Sequence, residues 1–235
     1  MIDIHSHLIF GVDDGSRSLE ESMNLFRVMY DAGVTDMILT PHYITYSKYV
    51  SNVKNNKKVL NTLKKELKNN NININIYLGN EIYMDRDIDK LIKNKEVLPI
   101  NNTKYILLEL PQSGNFPGYQ DIIHDLIVKG YKVILAHPER YISFQKDFNK
   151  IYELLDLGVI LQSNYGSILG DYGLGSKRTI KRLMKEHLIT FMSSDIHRVR
   201  RSDFINRAIN KMKKYYSEEE INDLVCNNAK ELIKK

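Results

Sequence analysis

The sequence predicts an α/β chain whose parallel strands close, or nearly close, into a barrel. Three observations lead there. Seven apolar runs alternate with longer amphipathic stretches from end to end, the pattern of strands linked by crossover helices. Strands such as Ile106-Leu-Leu and Val133-Ile-Leu are apolar at consecutive positions, as burial on both faces requires. Finally, His5, His42, Glu81, Glu109, His137 and Asp195 each stand at or just beyond the C-terminal end of a different strand. An open sheet would spread those ends along a line. A barrel gathers them on one rim, where the active sites of such folds sit.

Residues 2–5 form the first strand, and a loop then holds Asp13, Asp14 and Gly15. Ser18 and Glu21 have capping-box spacing ahead of a helix that carries Leu19, Met23, Phe26 and Tyr30, with Gly33 just past its end. Met37-Ile-Leu39 is the next strand, halted by Thr40-Pro41, and His42 follows at once. Val53, Leu60, Leu63 and Leu67 give helical spacing to a lysine-rich stretch over roughly 50–68. An Asn-Ile alternation leads into a strand ending near Glu81. Residues 105–110 are a strand, and a helix over 120–129 is closed by Gly130. Residues 133–136 are a strand, 146–157 a helix closed by Gly158, and 159–162 a further strand. A helix near 176–187 precedes the strand at 190–192. Two helices finish the chain, the second opened by Ser217 and Glu220 in capping-box spacing.

Length alone admits one large domain or two small ones, but no linker or composition shift divides the 235 residues, so 1–235 reads as a single domain. A hydrophobic content of 43% supplies a substantial core. No stretch approaches the roughly 20 apolar residues that cross a bilayer. A signal peptide is not expected, because His5 and His7 stand where its apolar region would be. The single cysteine, Cys226, cannot form an internal disulfide, and a cytoplasmic location is expected. Net charge is +5 from 34 basic against 29 acidic residues. That excess suits anionic substrates such as phosphate esters and is not the dense basic stripe of a nucleic-acid binder. The lysines of 54–68 read as a solvated helix face.

His5 and His7 are two apart on a strand, so both imidazoles point to one side. With them, Asp14, His42, Glu81, Glu109, His137, Asp195 and His197 make nine candidate metal ligands. A lone histidine at a strand end is more often an ordinary polar residue. So many costly groups at buried strand ends would destabilise the fold unless cations paired them. Mixed imidazole and carboxylate ligation suits Mn, Fe, Zn or Co, and nine ligands fit two or three ions sharing a bridging carboxylate. Such clusters generate a hydroxide nucleophile near neutral pH and clamp a phosphate undergoing in-line displacement. His124 and His187, in or beside helices, are left aside as ordinary residues, and Cys226 as a small packed side chain.

The opening Ile2-Asp-Ile-His-Ser-His7, followed by Val12-Asp-Asp-Gly15, closely resembles the polymerase-and-histidinol-phosphatase (PHP) superfamily. Within it the likeness is to the bacterial manganese-dependent protein-tyrosine phosphatases of capsule and exopolysaccharide loci. It continues through Gly79-Asn-Glu-Ile-Tyr83, Leu107-Leu-Glu109, Ala136-His-Pro-Glu-Arg-Tyr141, Gln162-Ser-Asn164 and Ser193-Ser-Asp-Ile-His197. The His-x-His pair occurs throughout the superfamily, whereas the Asp-Asp-Gly and His-x-Glu-Arg-Tyr segments belong to this branch. The resemblance implies a distorted (β/α)7 TIM-like barrel of the PHP type with a trinuclear site, manganese being the expected metal. By that analogy His5, His7, Glu81 and Asp195 hold one ion. Glu81 bridges to a second with Glu109 and His137, and Asp14, His42 and His197 hold the third.

The same resemblance makes Arg140 the substrate-phosphate arginine, whose planar fork suits two phosphate oxygens. Relatives carry a second arginine after the last metal-binding histidine. Ungapped alignment puts Ser202 there, so Arg201 is the choice for the second clamp, ahead of Arg200 and Arg198, the alternative being a solvated cationic loop. The implied activity is phosphoric monoester hydrolysis on phosphotyrosine by a metal-bridging hydroxide. The implied partner is a bacterial tyrosine kinase controlling polysaccharide export. The loop Pro111-Gln-Ser-Gly-Asn-Phe-Pro-Gly-Tyr119 should lie on the active rim, where Phe116 and Tyr119 either flank a substrate ring or pin the loop. Competing readings are a small-molecule phosphomonoesterase such as histidinol phosphatase, a PHP nuclease, and a metal-stabilised interaction module. The last would be marked by broken ligands, and all nine positions here carry the expected residue types.

Overall fold

The computed structural model describes residues 1–199, 201 and 203–234. Its strands are β1 (Ile2–Asp3), β2 (Asp36–Leu39), β3 (His42–Tyr43), β4 (Asn75–Leu78), β5 (Glu81–Tyr83), β6 (Tyr105–Glu109), β7 (Lys132–Ala136), β8 (Ile160–Asn164) and β9 (Phe191–Ser193). All pairings between these strands are parallel, which is the expected α/β arrangement. They form a three-stranded sheet, β1-β2-β4, and a six-stranded sheet, β3-β5-β6-β7-β8-β9.

The strand expected at 37–39 ends at Leu39, and beyond Pro41, which has no N–H for a ladder, a further short strand, β3, begins at His42; the strand expected to end near Glu81 is interrupted, as β4 and β5. Between β4 and β5 the Asn80 side chain donates to Pro41 O and accepts from Leu98 N–H, at 2.9 Å each, stitching the two interruptions together. Neighbours are kept across the gaps: β2 lies beside β4 and β3 beside β5. Beyond β9, Asp195 N–H donates to His5 O at 2.9 Å and His7 N–H to Ile196 O at 3.1 Å. An isolated parallel bridge between Ser6 and Ile196 thus sets the continuation of the last strand beside that of the first.

Period-two alternation divides the core. Ile38, Leu107, Ile134, Ala136 and Phe191 share one buried cluster with Ile2 and Ile4. Met37, Leu39, Ile106, Leu108, Val133, Leu135 and Met192, pointing the other way, pack with the helices in a second. The C-terminal segment closes the first cluster through Ala229 and Leu232, where Asn101 Nδ2 donates to Leu232 O at 3.0 Å.

Helix boundaries follow local chemistry. Ser217 and Glu220 make the full reciprocal capping box, so the chain re-enters helix at Glu218–Asn222. It then widens into a π turn, Asp223–Asn227. At Leu19–Asp31 only half the expected box forms: Ser18 accepts from Glu21 N–H, but Glu21 turns its carboxylate to Arg17. The lysine-rich helix is Val53–Asn69, buried along Val59, Leu60, Leu63 and Leu67. The helix expected over 146–157 is Asn149–Asp156, and a separate short helix that the sequence reading did not include, Ile142–Lys146, precedes it across the extended Asp147. Among the described residues no helix is long and apolar enough to cross a membrane.

Strand register points the site residues inward. His42 pairs with Glu81, Glu81 with Leu107, and Leu107 with Ile134, so one row runs across four strands on the inner face. Glu109 lies two residues beyond Leu107 and shares its face.

Candidate metal centre

All nine of the candidate ligands named from the sequence come together in one cluster. Their donor atoms fall into overlapping groups of metal-binding size. These are His7, Asp14, His42 and His197; His5, His7 and Glu81; His5, His137 and Asp195; and His42, Glu81 and Glu109. The split implied by resemblance is matched in the Asp14, His42, His197 group, which His7 joins. His137 groups with His5 and Asp195, though its Nε2 also lies 3.0 Å from Glu81 Oε1 and 3.7 Å from Glu109 Oε1.

Glu81 is at the middle. Its Oε2 lies 3.0 Å from His42 Nδ1, 3.1 Å from His5 Nε2 and 3.2 Å from His7 Nε2, while Oε1 faces His137. Asp195 Oδ1 lies 3.4 Å from the nearest nitrogen of each of His5, His7 and His197. Asp14 Oδ1 is 3.4 Å from His197 Nε2 and 3.5 Å from His42 Nε2. Two ligands hold strained backbone: His137 and Asp195 adopt φ of +36° and +48°, left-handed values costly for non-glycine residues and concentrated at functional sites.

The electrostatics are those of a cation site. Burial opposes charge on Glu81, yet His5 and His42 hold its carboxyl well below the usual range. Burial and the Glu81 charge push Glu109 well above it, so the protein alone cannot ionise both carboxylates freely. Burial works to lower the His7 pKa, but Asp13, with help from Asp195 and Glu81, drives it well up. His137 goes the other way: burial, with Arg140 adding to it, brings it to about 4 and keeps its ring neutral. His42 Nδ1 and Glu81 Oε2 are buried without a hydrogen-bond partner, and both face the cluster. Oxygen and imidazole donors with orphaned lone pairs fit divalent first-row ions.

Groups that the sequence reading assigned no role hold the ligands in place. Asp13 Oδ2 accepts from His7 Nδ1 at 2.8 Å and from His42 N–H at 3.0 Å, and its Oδ1 accepts from Gly15 N–H. Gln162 Oε1 accepts from His5 Nδ1 at 2.8 Å, and Gln162 Nε2 donates to Asn164 Oδ1. Asn164 Nδ2 in turn donates to Asp195 Oδ2 at 2.8 Å. Each such bond fixes a ring tautomer or a carboxylate orientation, and together they turn Nε2 of His5 and of His7 into the cluster, 3.2 Å from one another. Glu139 is buried and accepts from Ser163, Ser167 and Asn164 N–H, tying the turn before Arg140 to β8.

A cavity of ≈ 270 Å³ opens over the centre, with Ile44, Tyr49, Tyr83 and Gln112 among its walls beside Arg140. Arg140 Nη1 donates to Asp195 Oδ2 at 2.7 Å, and the guanidinium stacks over Tyr172 at 4.4 Å. Arg201 is elsewhere. Its side chain is 79% exposed and pairs with Asp203 at 3.3 Å. Arg198 borders the mouth beside Asp14 and donates to the Gly15 carbonyl. Arg200 and Ser202 lie outside the described residues. Phe116 and Tyr119 pack on the core, which is the loop-pinning alternative.

Residues 1–234 match the family described as capsular polysaccharide synthesis, CpsB/CapC. The chain belongs to the CpsB/CapC family. CapC of Staphylococcus aureus is 33% identical to this family member over 93% of this chain and 86% of its own. A crystal structure reported for YwqE from Bacillus subtilis and CpsB from Streptococcus pneumoniae, described as metal-dependent tyrosine phosphatases, superposes with a TM-score of 0.85. Identity there is 29%, over 95% of this chain and 91% of the other. A histidinol phosphate phosphatase from Lactococcus lactis shares the fold at TM-score 0.61 and 17% identity, over 91% and 93% of the two chains.

Proposed function

We propose that this CpsB/CapC-family chain is a metal-dependent protein-tyrosine phosphatase, a phosphoric monoester hydrolase acting on phosphotyrosine. The observation that carries the reading is Glu81 set against four histidines, with nine donor residues gathered beneath one cavity. The family and its relatives described as tyrosine phosphatases supply the substrate class. The two sheets, joined by the Ser6–Ile196 bridge, are read as one distorted (β/α)7 ring.

His5, His7, Glu81 and Asp195 would hold one ion, Glu81, Glu109 and His137 a second, and Asp14, His42 and His197 a third, with manganese the favoured metal. Bound divalent ions there supply Lewis acidity that activates water and offsets phosphate charge. The chain does the rest. Arg140, fixed by Asp195 and Tyr172, presents a cationic fork to the phosphate. Tyr49, Tyr83 and Ile44 give the cavity an aromatic and apolar wall for a phenyl ring. A phenolate, with a pKa of about 10, leaves with less protonation than an alkoxide. Arg201 would reach phosphate only after leaving Asp203, so Arg140 bears the greater part of that role.

The proposed substrate is a phosphotyrosine-bearing protein, a bacterial tyrosine kinase of capsule or exopolysaccharide synthesis, with the cytoplasm as the proposed location. The test is hydrolysis of a phosphotyrosine peptide against histidinol phosphate at matched concentrations, with manganese-loaded and EDTA-treated protein. Preference for the peptide, abolished by EDTA, is expected. Preference for histidinol phosphate would move the chain to small-molecule phosphomonoester hydrolysis.

A further inference from the structure

Among the described residues seven large apolar side chains are exposed, and five of them stand within two residues of a side chain that lines the cavity or its opening. Tyr46 and Val50 lie on the segment whose Ile44 and Tyr49 line the cavity. Ile142 follows Tyr141, Leu174 stands two beyond Tyr172, and Val199 follows Arg198, each a neighbour of a residue lining the opening. The other two, Tyr30 and Val128, belong to helices Leu19–Asp31 and Tyr119–Val128. Exposed apolar groups gathered at one place, rather than scattered singly, mark an interaction surface.

The segment after β3 is a small hairpin. Ile44 N–H donates to Tyr49 O at 3.0 Å, Ser47 N–H to Ile44 O at 3.2 Å, and Tyr43 and Val50 form an antiparallel bridge. Its base is fixed to the metal centre, because Tyr49 stacks on His42 with ring centroids 6.3 Å apart. Its tip is Tyr46, 101% exposed and held at φ +60°. An aromatic residue in the left-handed region is costly, and the fold recovers nothing by burial. Asparagine or glycine would make the same turn without that strain. The mouth is also cationic, with Lys48 over the Tyr49 ring at 4.9 Å and Arg198 at the edge of the opening.

We infer that Tyr46, with Leu174 and Val199 on the other rim loops, is a docking collar for the polypeptide that flanks a phosphotyrosine. Acidic residues of that polypeptide meet Lys48 and Arg198. The inference rests on the tyrosine-phosphatase reading and deepens it. A small phosphomonoester ends inside the ≈ 270 Å³ cavity. Only a chain attached to the ester reaches the rim, where a few aromatic and apolar anchors carry most of the binding energy.

The test uses Tyr46→Asn, which keeps the left-handed turn, and the double variant Leu174→Ser with Val199→Ser. Substrates are a phosphotyrosine peptide with acidic residues on both sides and p-nitrophenyl phosphate. For Tyr46→Asn we expect kcat/KM on the peptide to fall about tenfold, through KM, while p-nitrophenyl phosphate stays within about twofold. The double variant should show the same split. Equal losses on both substrates, or no loss on the peptide, would overturn the collar. Sedimentation serves as the control: a wild-type oligomer that dissociates in Tyr46→Asn would assign the rim to a second copy of the chain instead. A wild-type protein active on p-nitrophenyl phosphate but not on the peptide would overturn the tyrosine-phosphatase reading itself, so the two failures are distinguishable.

Discussion

Arg140 and Asp195 share one short ion pair, Arg140 Nη1 donating to Asp195 Oδ2 at 2.7 Å. The arginine proposed to face phosphate is thereby anchored on a carboxylate of the candidate metal centre. Asp195 Oδ2 also accepts from Asn164 Nδ2 at 2.8 Å, so it keeps a partner when the arginine is removed.

Arg140→Ala should therefore lower kcat/KM on the order of 10²-fold, as loss of a preorganised charge donor does, while metal content stays at the wild-type level. Arg140→Lys should recover only part of the loss, because a point charge cannot reproduce a planar fork. Elemental analysis of the purified variants checks the claim. A metal-free Arg140→Ala protein would remove the phosphate role from this residue.

Asp13→Asn acts on the ligands instead. The carboxylate accepts from His7 Nδ1, His42 N–H and Gly15 N–H together, and an amide has one acceptor oxygen for those three donors. We expect metal affinity to fall by 10- to 100-fold, the usual cost of losing an orienting partner behind a ligand. Competition with a chelator reads this directly. Unchanged affinity would show that His7 is oriented by its strand alone.

Gly15→Ala tests the loop between Asp14 and the first helix. A Cβ there would press on the His7 carbonyl and Cβ, backbone and ligand that cannot simply swing away. Overpacking of this kind costs about 1–3 kcal/mol. A lower melting temperature with weakened metal binding is expected, whereas Gly15→Ala with wild-type values of both would mean the loop yields freely.

The candidate ligands were legible because most of them stand where an apolar run gives out, and the end of a parallel strand places a residue before any contact is known. His42 and Glu81 follow the runs of β2 and β4 after a short interruption and pair in parallel register as the first residues of β3 and β5. Asp13, Gln162, Asn164 and Glu139 were not legible as supports, because side-chain hydrogen bonds between distant segments leave no period or spacing in sequence. The short helix Ile142–Lys146 was not legible either, because five residues are too few to show an apolar period. Arg201 was chosen by alignment within an arginine-rich loop, where Asp203, two residues on, offers the closer partner.

Acidity should separate the metal-free and loaded proteins. Burial acts to depress His7, but Asp13 and the neighbouring carboxylates raise it well above 6.5, and Glu81 and Asp195 raise His5 in the same way. A folded-state pKa above the unfolded one stabilises the fold fully below 6.5, and that contribution is lost as pH rises through the raised value. Metal ions compete with those protons, so their binding strengthens over the same range. Melting temperatures of EDTA-treated protein should fall as pH increases above 6.5 while the gap to loaded protein widens. A metal-free protein whose stability climbs over that range would contradict the charge arrangement described for His5 and His7.

The most direct test of the central claim is a manganese titration of EDTA-stripped protein, following phosphotyrosine-peptide hydrolysis and bound metal together. Activity should be absent without metal and rise to a plateau as two to three ions bind per chain, the number that nine shared ligands accommodate. Hydrolysis that persists undiminished in fully stripped protein would contradict it.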